Sequence, residues 1–128
     1  NTELLELMRT FRVAYGRGDA TTLNEVTSAD FEWHQHCSET ADNQAEQHTG
    51  RVLKGVGELL AELAWRQEHW SNVSYENLEE RAASDLLVQT FVIRGEEDGR
   101  PFHAKVVDLY PVANGRITRK DTYWKYQR

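Results

Sequence analysis

The chain has 128 residues, a size that fits one domain with one hydrophobic core spanning residues 1–128. Its net charge of −6 argues against a nucleic-acid partner, which would require a clustered basic surface. No stretch approaches the roughly 18 continuous apolar residues of a membrane helix, and no secretory signal is visible. The single cysteine, Cys37, excludes an internal disulfide. We therefore expect a globular, cytoplasmic protein without a membrane partner.

Three segments have the apolar spacing of helices. Residues 2–16 place apolar side chains on one face, and glycines end the pattern. Asp19 is then positioned to cap a short second helix over residues 20–26. A third helix is predicted over residues 56–70, with Leu63 on its core face.

The first predicted strand lies between the second and third helices. Residues 31–36 alternate, so that Trp33 and Gln35 share one face while His34 and His36 share the other. The polar stretch that follows, residues 37–50, has no periodicity and predicts a long loop, of the kind that often serves as a lid or an entrance.

The second half of the chain predicts four more strands joined mainly by hairpins. They are expected at residues 73–81, 86–94, 101–112 and 118–125. This element order predicts an α+β fold in which helices cover one face of a curved antiparallel sheet. Such a sheet forms a cone, and the open end of the cone is a natural pocket.

One carboxylate stands in the middle of the third of these strands. Asp108 lies between Val107 and Leu109, where a charge is costly unless it is paired, solvated or held protonated. A bulge between Pro101 and Val112 would reverse the face on which this side chain lies.

The arrangement resembles the NTF2-like superfamily and, within it, the SnoaL-like polyketide cyclases and the ketosteroid isomerases. The resemblance rests on the order and spacing of residues 11–19, 29–33, 50–55, 107–112 and 114–117. It implies a cone of curved antiparallel sheet wrapped around three helices. It does not imply one reaction, because this fold carries isomerases, cyclases, dehydratases and non-catalytic binders.

The resemblance gives Asp108 a role. It matches the strand carboxylic acid that helps ketosteroid isomerases hold an oxyanion. Held protonated in an apolar site, such an acid can donate a hydrogen bond or move a proton. The alternative is an aspartate that faces solvent or is paired with a nearby arginine or lysine.

Two other positions depart from the isomerase pattern. Phe11 stands where the isomerases have their oxyanion tyrosine, and it has no hydroxyl group. Tyr15, one helical turn further on, could present a hydroxyl instead. Gln35 stands at the position of the isomerase base and cannot take a proton at neutral pH, although it can orient a ligand.

Histidines raise the question of a second proton carrier or a metal. His36 is predicted to border the pocket entrance, where it could act as a general base. The spacing of His34, His36, Cys37 and His48 matches no strong metal motif, so no metal is expected. No organic cofactor is expected either, because the chain has no Gly-rich phosphate loop. Asp121, a further acid, is interpreted as a surface or interface partner of Arg119 or Lys120.

These considerations define a candidate site. The predicted catalytic residues are Asp108, Tyr15 and His36. The predicted ligand-binding residues are Phe11, Trp33, Gln35, Leu63, Trp70 and Tyr110.

The resulting hypothesis is an acid/base isomerase, cyclase or dehydratase acting on a small oxygenated hydrophobic molecule. A non-catalytic ligand-binding or dimerisation module stays open beside it. The resemblance also implies a homodimer formed through the outer sheet face, near His103, Lys105 and Tyr123.

Overall fold

A computed structural model of the protein describes residues 2–36 and 50–127. Its helices are α1 (Thr2–Arg17), α2 (Ala20–Val26) and α3 (Gly55–His69). Its strands are β1 (Thr27–His36), β2 (Arg51–Lys54), β3 (Trp70–Ala83), β4 (Leu86–Glu97), β5 (Arg100–Ala113) and β6 (Arg116–Tyr126). The predicted lid or entrance loop lies outside the described residues, except for Gly50. None of the helices in the described ranges is long and apolar enough to cross a membrane.

The six strands form one sheet in the order β2-β1-β6-β5-β4-β3. The predicted α+β architecture is confirmed, with two differences. The sequence predicted five strands, and the additional β2 pairs antiparallel with β1 over four residues. The sheet is antiparallel except between β1 and β6, which pair in parallel.

The main core lies between the helices and the inner face of this sheet. From α1 it takes Met8, Phe11 and Ala14, which are spaced so that they share one helix face. Asp19 caps α2 as predicted, since its carboxylate accepts a hydrogen bond from the Thr22 amide at 3.2 Å. A smaller cluster around Ile93, Ala104 and Val106 continues the apolar interior along β4 and β5.

The edge strand β3 is irregular, which shapes one side of the interior. Its pairing with β4 shifts register between Ser71 and Ser74 and again between Glu76 and Glu79. Asn72 and Asn77 have positive φ angles of 53° and 57° at these shifts. Bulges of this kind bend a strand and increase its twist, so β3 curves along the wall of the interior.

Candidate functional site

A cavity of about 300 Å³ lies between α1 and the inner face of the sheet. Its walls are mainly aromatic and aliphatic and include Phe11, Tyr15, Trp33, Phe91, Val106 and Trp124. Tyr75 and Leu78 of β3 also line the cavity and are exposed, so it reaches the surface beside this edge strand. The volume is at the small end of ligand pockets, which hold roughly 300–1,000 Å³.

Asp108 lies on the inner face of the sheet and lines this cavity. The pairing of β4 with β5 runs without a shift from one end to the other, and Gln89 faces Asp108 across it. The pairing of β5 with β6 does shift, but only between Leu109 and Val112, beyond Asp108. The acid therefore keeps the inward orientation that alternation gives it.

Two side chains of β6 donate hydrogen bonds to the Asp108 carboxylate. The Lys120 ammonium contacts Oδ2 at 3.1 Å, and the Thr122 hydroxyl donates to Oδ1. The Thr122 oxygen in turn accepts the Trp33 indole N–H at 2.9 Å, so its own hydrogen is free to point at Asp108. Both carboxylate oxygens thus accept hydrogen bonds. Asp108 therefore does not face solvent, and it is paired with a lysine.

Lys120 is almost as deeply buried as its partner. The residue is 4% exposed, against 1% for Asp108. Its ammonium also contacts the Tyr110 hydroxyl oxygen at 2.8 Å and lies 4.8–5.1 Å from the ring centroids of Tyr15, Trp33 and Tyr110. Burial lowers the pKa of the Lys120 amine, and the adjacent Asp108 opposes that effect.

A chain of hydrogen bonds connects this ion pair to the edge of the sheet. The Tyr110 hydroxyl contacts the Gln89 side-chain oxygen at 3.3 Å, and the Gln89 amide donates to Glu80 at 2.8 Å. Glu80 also accepts from the Arg12 guanidinium at 2.9 Å. Burial raises the pKa of the Tyr110 phenol well above its usual value, so Tyr110 stays a hydrogen-bond donor across the ordinary pH range.

Tyr15 brings a second hydroxyl to the cavity, as the sequence predicted. Its ring stacks on Phe11 at 5.9 Å, and its oxygen accepts a hydrogen bond of 3.4 Å from Arg66. Burial raises the pKa of Tyr15 to about 12, although Arg66 acts in the opposite direction. Phe11 itself packs edge-on against Tyr110 at 5.3 Å and forms part of the cavity wall.

The raised pKa of Tyr15 predicts a specific loss of stability in alkali. A phenol that titrates at about 12 in the folded state and near 10 when unfolded contributes stability below pH 10 that is lost as the pH rises towards 12. We expect Tyr15→Phe to remove about 2–3 kcal/mol of this pH dependence, as measured by urea unfolding across that range. Parallel curves of unfolding free energy against pH for the variant and the wild type would contradict the raised pKa of Tyr15.

Three predicted ligand-binding residues do not line this cavity. Gln35 and Trp70 lie in a wider cleft beside α3, beyond Thr122 and Trp124, and Leu63 packs against the main core. Strand alternation puts Gln35 on the inner face as expected, but further along the sheet. Its buried side-chain nitrogen has no hydrogen-bond partner in the part of the chain that the structure describes.

The expectation for His36 is corrected by the structure. Alternation along β1 places it on the outer face of the sheet, opposite to the cavity. Its imidazole contacts the Asp121 carboxylate at 2.6 Å and stacks on the Tyr123 ring at 4.3 Å. Asp121 therefore has His36 as its nearest partner, and Lys120, on the other face, belongs to Asp108. Among the described residues, no group of three or more His, Cys, Asp or Glu side chains is placed to hold a metal ion.

Sequence reasoning missed the second half of the central ion pair. Lys120 was considered only as a possible partner of Asp121. One signal could have identified it. Lys120, Thr122 and Trp124 alternate along β6, and an aromatic residue at the end of such a series indicates the buried face.

Comparisons with solved structures support the fold. An NTF2-like protein from Burkholderia xenovorans LB400 aligns with a TM-score of 0.80 at 23% identity, covering 98% of this chain and 91% of that protein. A protein with a ketosteroid isomerase-like fold from Catenulispora acidiphila, in complex with trimethylamine, gives 0.69 at 18% identity, covering 94% and 85%. IdmH from Streptomyces antibioticus, a proposed polyketide cyclase, gives 0.66 at 20% identity, covering 94% and 90%.

At these identities the solved structures establish the cone fold alone. No curated protein sequence matches the chain. The sequence profile of the SnoaL-like domain, however, matches residues 8–120, which include both members of the buried ion pair. The chain therefore belongs to the SnoaL-like domain family within the NTF2-like fold.

Proposed function

We propose that the inner cavity binds a small, mostly apolar molecule that carries a carbonyl or hydroxyl group, and that Asp108 transfers a proton on it. One observation carries the proposal: the cavity has apolar walls, yet its floor holds the buried Asp108–Lys120 pair. Buried charges are costly, and ionisable groups in a cleft are candidates for proton chemistry. The reaction classes that fit are isomerisation, aldol-type cyclisation and dehydration.

The neighbouring groups fit acid/base chemistry next to a carbonyl. A ligand oxygen placed near Tyr110 would receive a hydrogen bond from its hydroxyl, and the Lys120 ammonium would offset negative charge that develops there. Asp108, 3.1 Å from that ammonium, would then exchange a proton with the adjacent carbon. The fold relative IdmH is a proposed polyketide cyclase, and a polyketide is an oxygenated carbon chain of the expected class.

The corrected position of His36 changes the roles in this proposal. The proton carriers are Asp108, Lys120 and Tyr110, which contact one another on two adjacent strands. Tyr15 and Trp33 flank them and orient the ligand. Gln35 and Trp70 lie in the wider cleft and would contact only a ligand that extends beyond Thr122.

The experiment that tests the proposal needs no knowledge of the natural substrate. Small cyclic ketones such as cyclohexanone and β-tetralone are incubated with the protein in deuterium oxide, and α-deuteration is followed by NMR. Binding is measured in parallel through the fluorescence of the cavity tryptophans Trp33 and Trp124. Exchange faster than with the heat-denatured protein supports acid/base catalysis. Binding without exchange across the panel favours the non-catalytic module, and the absence of both contradicts the proposed cavity function.

A second proposal concerns the outer face of the sheet. Val107 and Tyr123 lie on the central strands β5 and β6 and are 36% and 43% exposed. Together with the exposed Lys105 they form an outward patch on the side opposite to the cavity. Exposed apolar side chains on a broad sheet face are typical of protein interfaces. We therefore propose that two copies of the chain form a homodimer through this patch, defined by Lys105, Val107 and Tyr123.

The dimer proposal predicts a change of molar mass in solution. Light scattering coupled to gel filtration is expected to give twice the chain mass for the wild type. Tyr123→Glu is expected to give a monomer, because it places a charge in the centre of the apolar contact. Tyr75→Glu is the matched control, since Tyr75 is 59% exposed but lies at the β3 edge. A wild-type monomer at all concentrations would overturn the dimer.

The cytoplasmic location and the lack of a cofactor stay predictions.

A further inference from the structure

We propose that Lys120 is a nucleophilic amine that binds a carbonyl compound covalently as an imine inside the cavity. The inference rests on the proposed function in one respect only, since it takes the cavity to admit a small carbonyl compound. It goes beyond proton transfer, because it assigns a covalent site to a residue that otherwise only pairs with Asp108. The ligand class is an aldehyde or a ketone with an apolar body.

The position of the amine carries the argument. Lys120 lines the cavity, and its nitrogen is held at a defined place by the Asp108 carboxylate and the Tyr110 hydroxyl, at 3.1 and 2.8 Å. The rings of Tyr15, Trp33 and Tyr110 surround it at 4.8–5.1 Å. A carbonyl compound in this space would meet the nitrogen with an acid/base group and a phenol beside it.

The environment also makes the Lys120 ammonium easier to deprotonate to the nucleophilic amine. Burial lowers the pKa of Lys120, and among the groups that face it, Asp108 acts in the opposite direction while the Arg66 guanidinium lowers the pKa further. The phenols of Tyr15 and Tyr110 remain uncharged because their own pKa values are raised. A lysine that is desolvated in an apolar pocket next to another cation is a recognised nucleophile.

The step balances without any further reagent. The ammonium of Lys120 gives one proton to Asp108, and the freed nitrogen pair attacks the carbonyl carbon, so that a C–N bond forms and the carbonyl π pair moves to oxygen. That oxygen takes a proton from Tyr110, which recovers one from the nitrogen. The hydroxyl group then leaves as water with the proton held by Asp108, while the remaining nitrogen pair closes the C=N bond. The sum is ammonium plus carbonyl giving protonated imine plus water, and the positive charge beside Asp108 is retained.

The chain provides its own controls for this chemistry. Its remaining lysines, Lys54, Lys105 and Lys125, are exposed. Exposed lysines lie in water, without an apolar pocket or a neighbouring acid/base group to assist the addition, so we expect them to react slowly with carbonyl compounds. All four can be compared within one sample, and the comparison does not depend on any variant folding correctly.

The test is reductive trapping of the full chain. The protein is incubated at neutral pH with benzaldehyde over a range of concentrations in the presence of sodium cyanoborohydride, and adducts are located by peptide mass spectrometry. Each adduct adds the mass of the probe less one oxygen atom. We expect at least about tenfold more adduct on Lys120 than on any exposed lysine. Equal labelling of the four lysines, or no label on Lys120 at a concentration that labels the others, overturns the proposal.

Two further arms separate this proposal from the proton-transfer function. Lys120→Arg keeps a charge beside Asp108 but cannot form the imine, and is expected to lose the dominant adduct while the exposed lysines are labelled as in the wild type. Ketone exchange that depends on Asp108 in a protein whose Lys120 takes no label would leave the proposed function standing and remove the imine. A Lys120 adduct in a protein without exchange would support the imine and remove proton transfer by Asp108.

Discussion

Replacing Asp108 with asparagine is expected to slow α-deuteration of a bound ketone by about 10²–10⁴-fold, the usual contribution of a positioned general acid or base. Asparagine keeps the shape of the side chain and can still accept the Thr122 hydrogen bond, but it cannot carry a proton. Ligand affinity, measured by tryptophan fluorescence, is expected to change much less than the exchange rate. A loss of affinity equal to the loss of rate would indicate a binding role alone.

The buried partner of Asp108 dictates the control for that experiment. In Asp108→Asn the Lys120 ammonium has no counter-ion, so part of any loss could come from a disturbed fold. The matched variant is the double substitution Asp108→Asn with Lys120→Met, which removes both charges and keeps similar volumes. If Asp108 moves the proton, the double variant binds ketones and exchanges them no faster than the single variant does. Exchange at the wild-type rate in either protein would exclude Asp108 as the proton carrier.

The sequence was sufficient for most of the fold because long elements carry periodic patterns. The α2 bounds, residues 20–26, agree with the prediction, and the four strands of the second half are each found, extended by one to a few residues at their ends. Strand β2 was missed because its four residues, Arg51–Lys54, are too few to show alternation. The sequence also did not predict the parallel pairing of β1 with β6. The paired residues are 87 or 90 positions apart in the chain, and neither strand's own pattern identifies its partner.

Site residues could be predicted from the sequence only where the pattern within a single strand identified them. Asp108 stood out because its own neighbours are apolar, and resemblance placed its strand in the cone. Lys120 could not be assigned to it, because the sequence does not reveal the register of β5 against β6. The alternation of Lys120 with Thr122 and Trp124 could have indicated a buried side chain, but only the pairing of Asp108 with Thr122 brings the two charges together. His36 was assigned to the pocket although its own alternation pointed to the outer face.

Replacing Lys120 with methionine is expected to lower the free energy of unfolding by about 3–5 kcal/mol, because it leaves the Asp108 carboxylate buried without its charge partner. Methionine retains most of the volume and the flexibility of the lysine stem, so cavity formation contributes little to the loss. The measurement is urea unfolding at neutral pH, followed by circular dichroism. An unchanged slope against urea would show that the unfolding transition itself is the same.

The same double variant completes this stability argument. If the cost of Lys120→Met comes from the unpaired carboxylate, adding Asp108→Asn is expected to recover at least about 2 kcal/mol, since a neutral pair has no buried charge to compensate. Lys105→Met is the matched surface control, and it is expected to change stability by no more than about 0.5 kcal/mol because Lys105 is exposed. Additive losses in the double variant would mean that the two residues act independently. In that case the ion pair would not stabilise the cavity floor, and pairing with Lys120 would not explain why an acid is tolerated in the middle of β5.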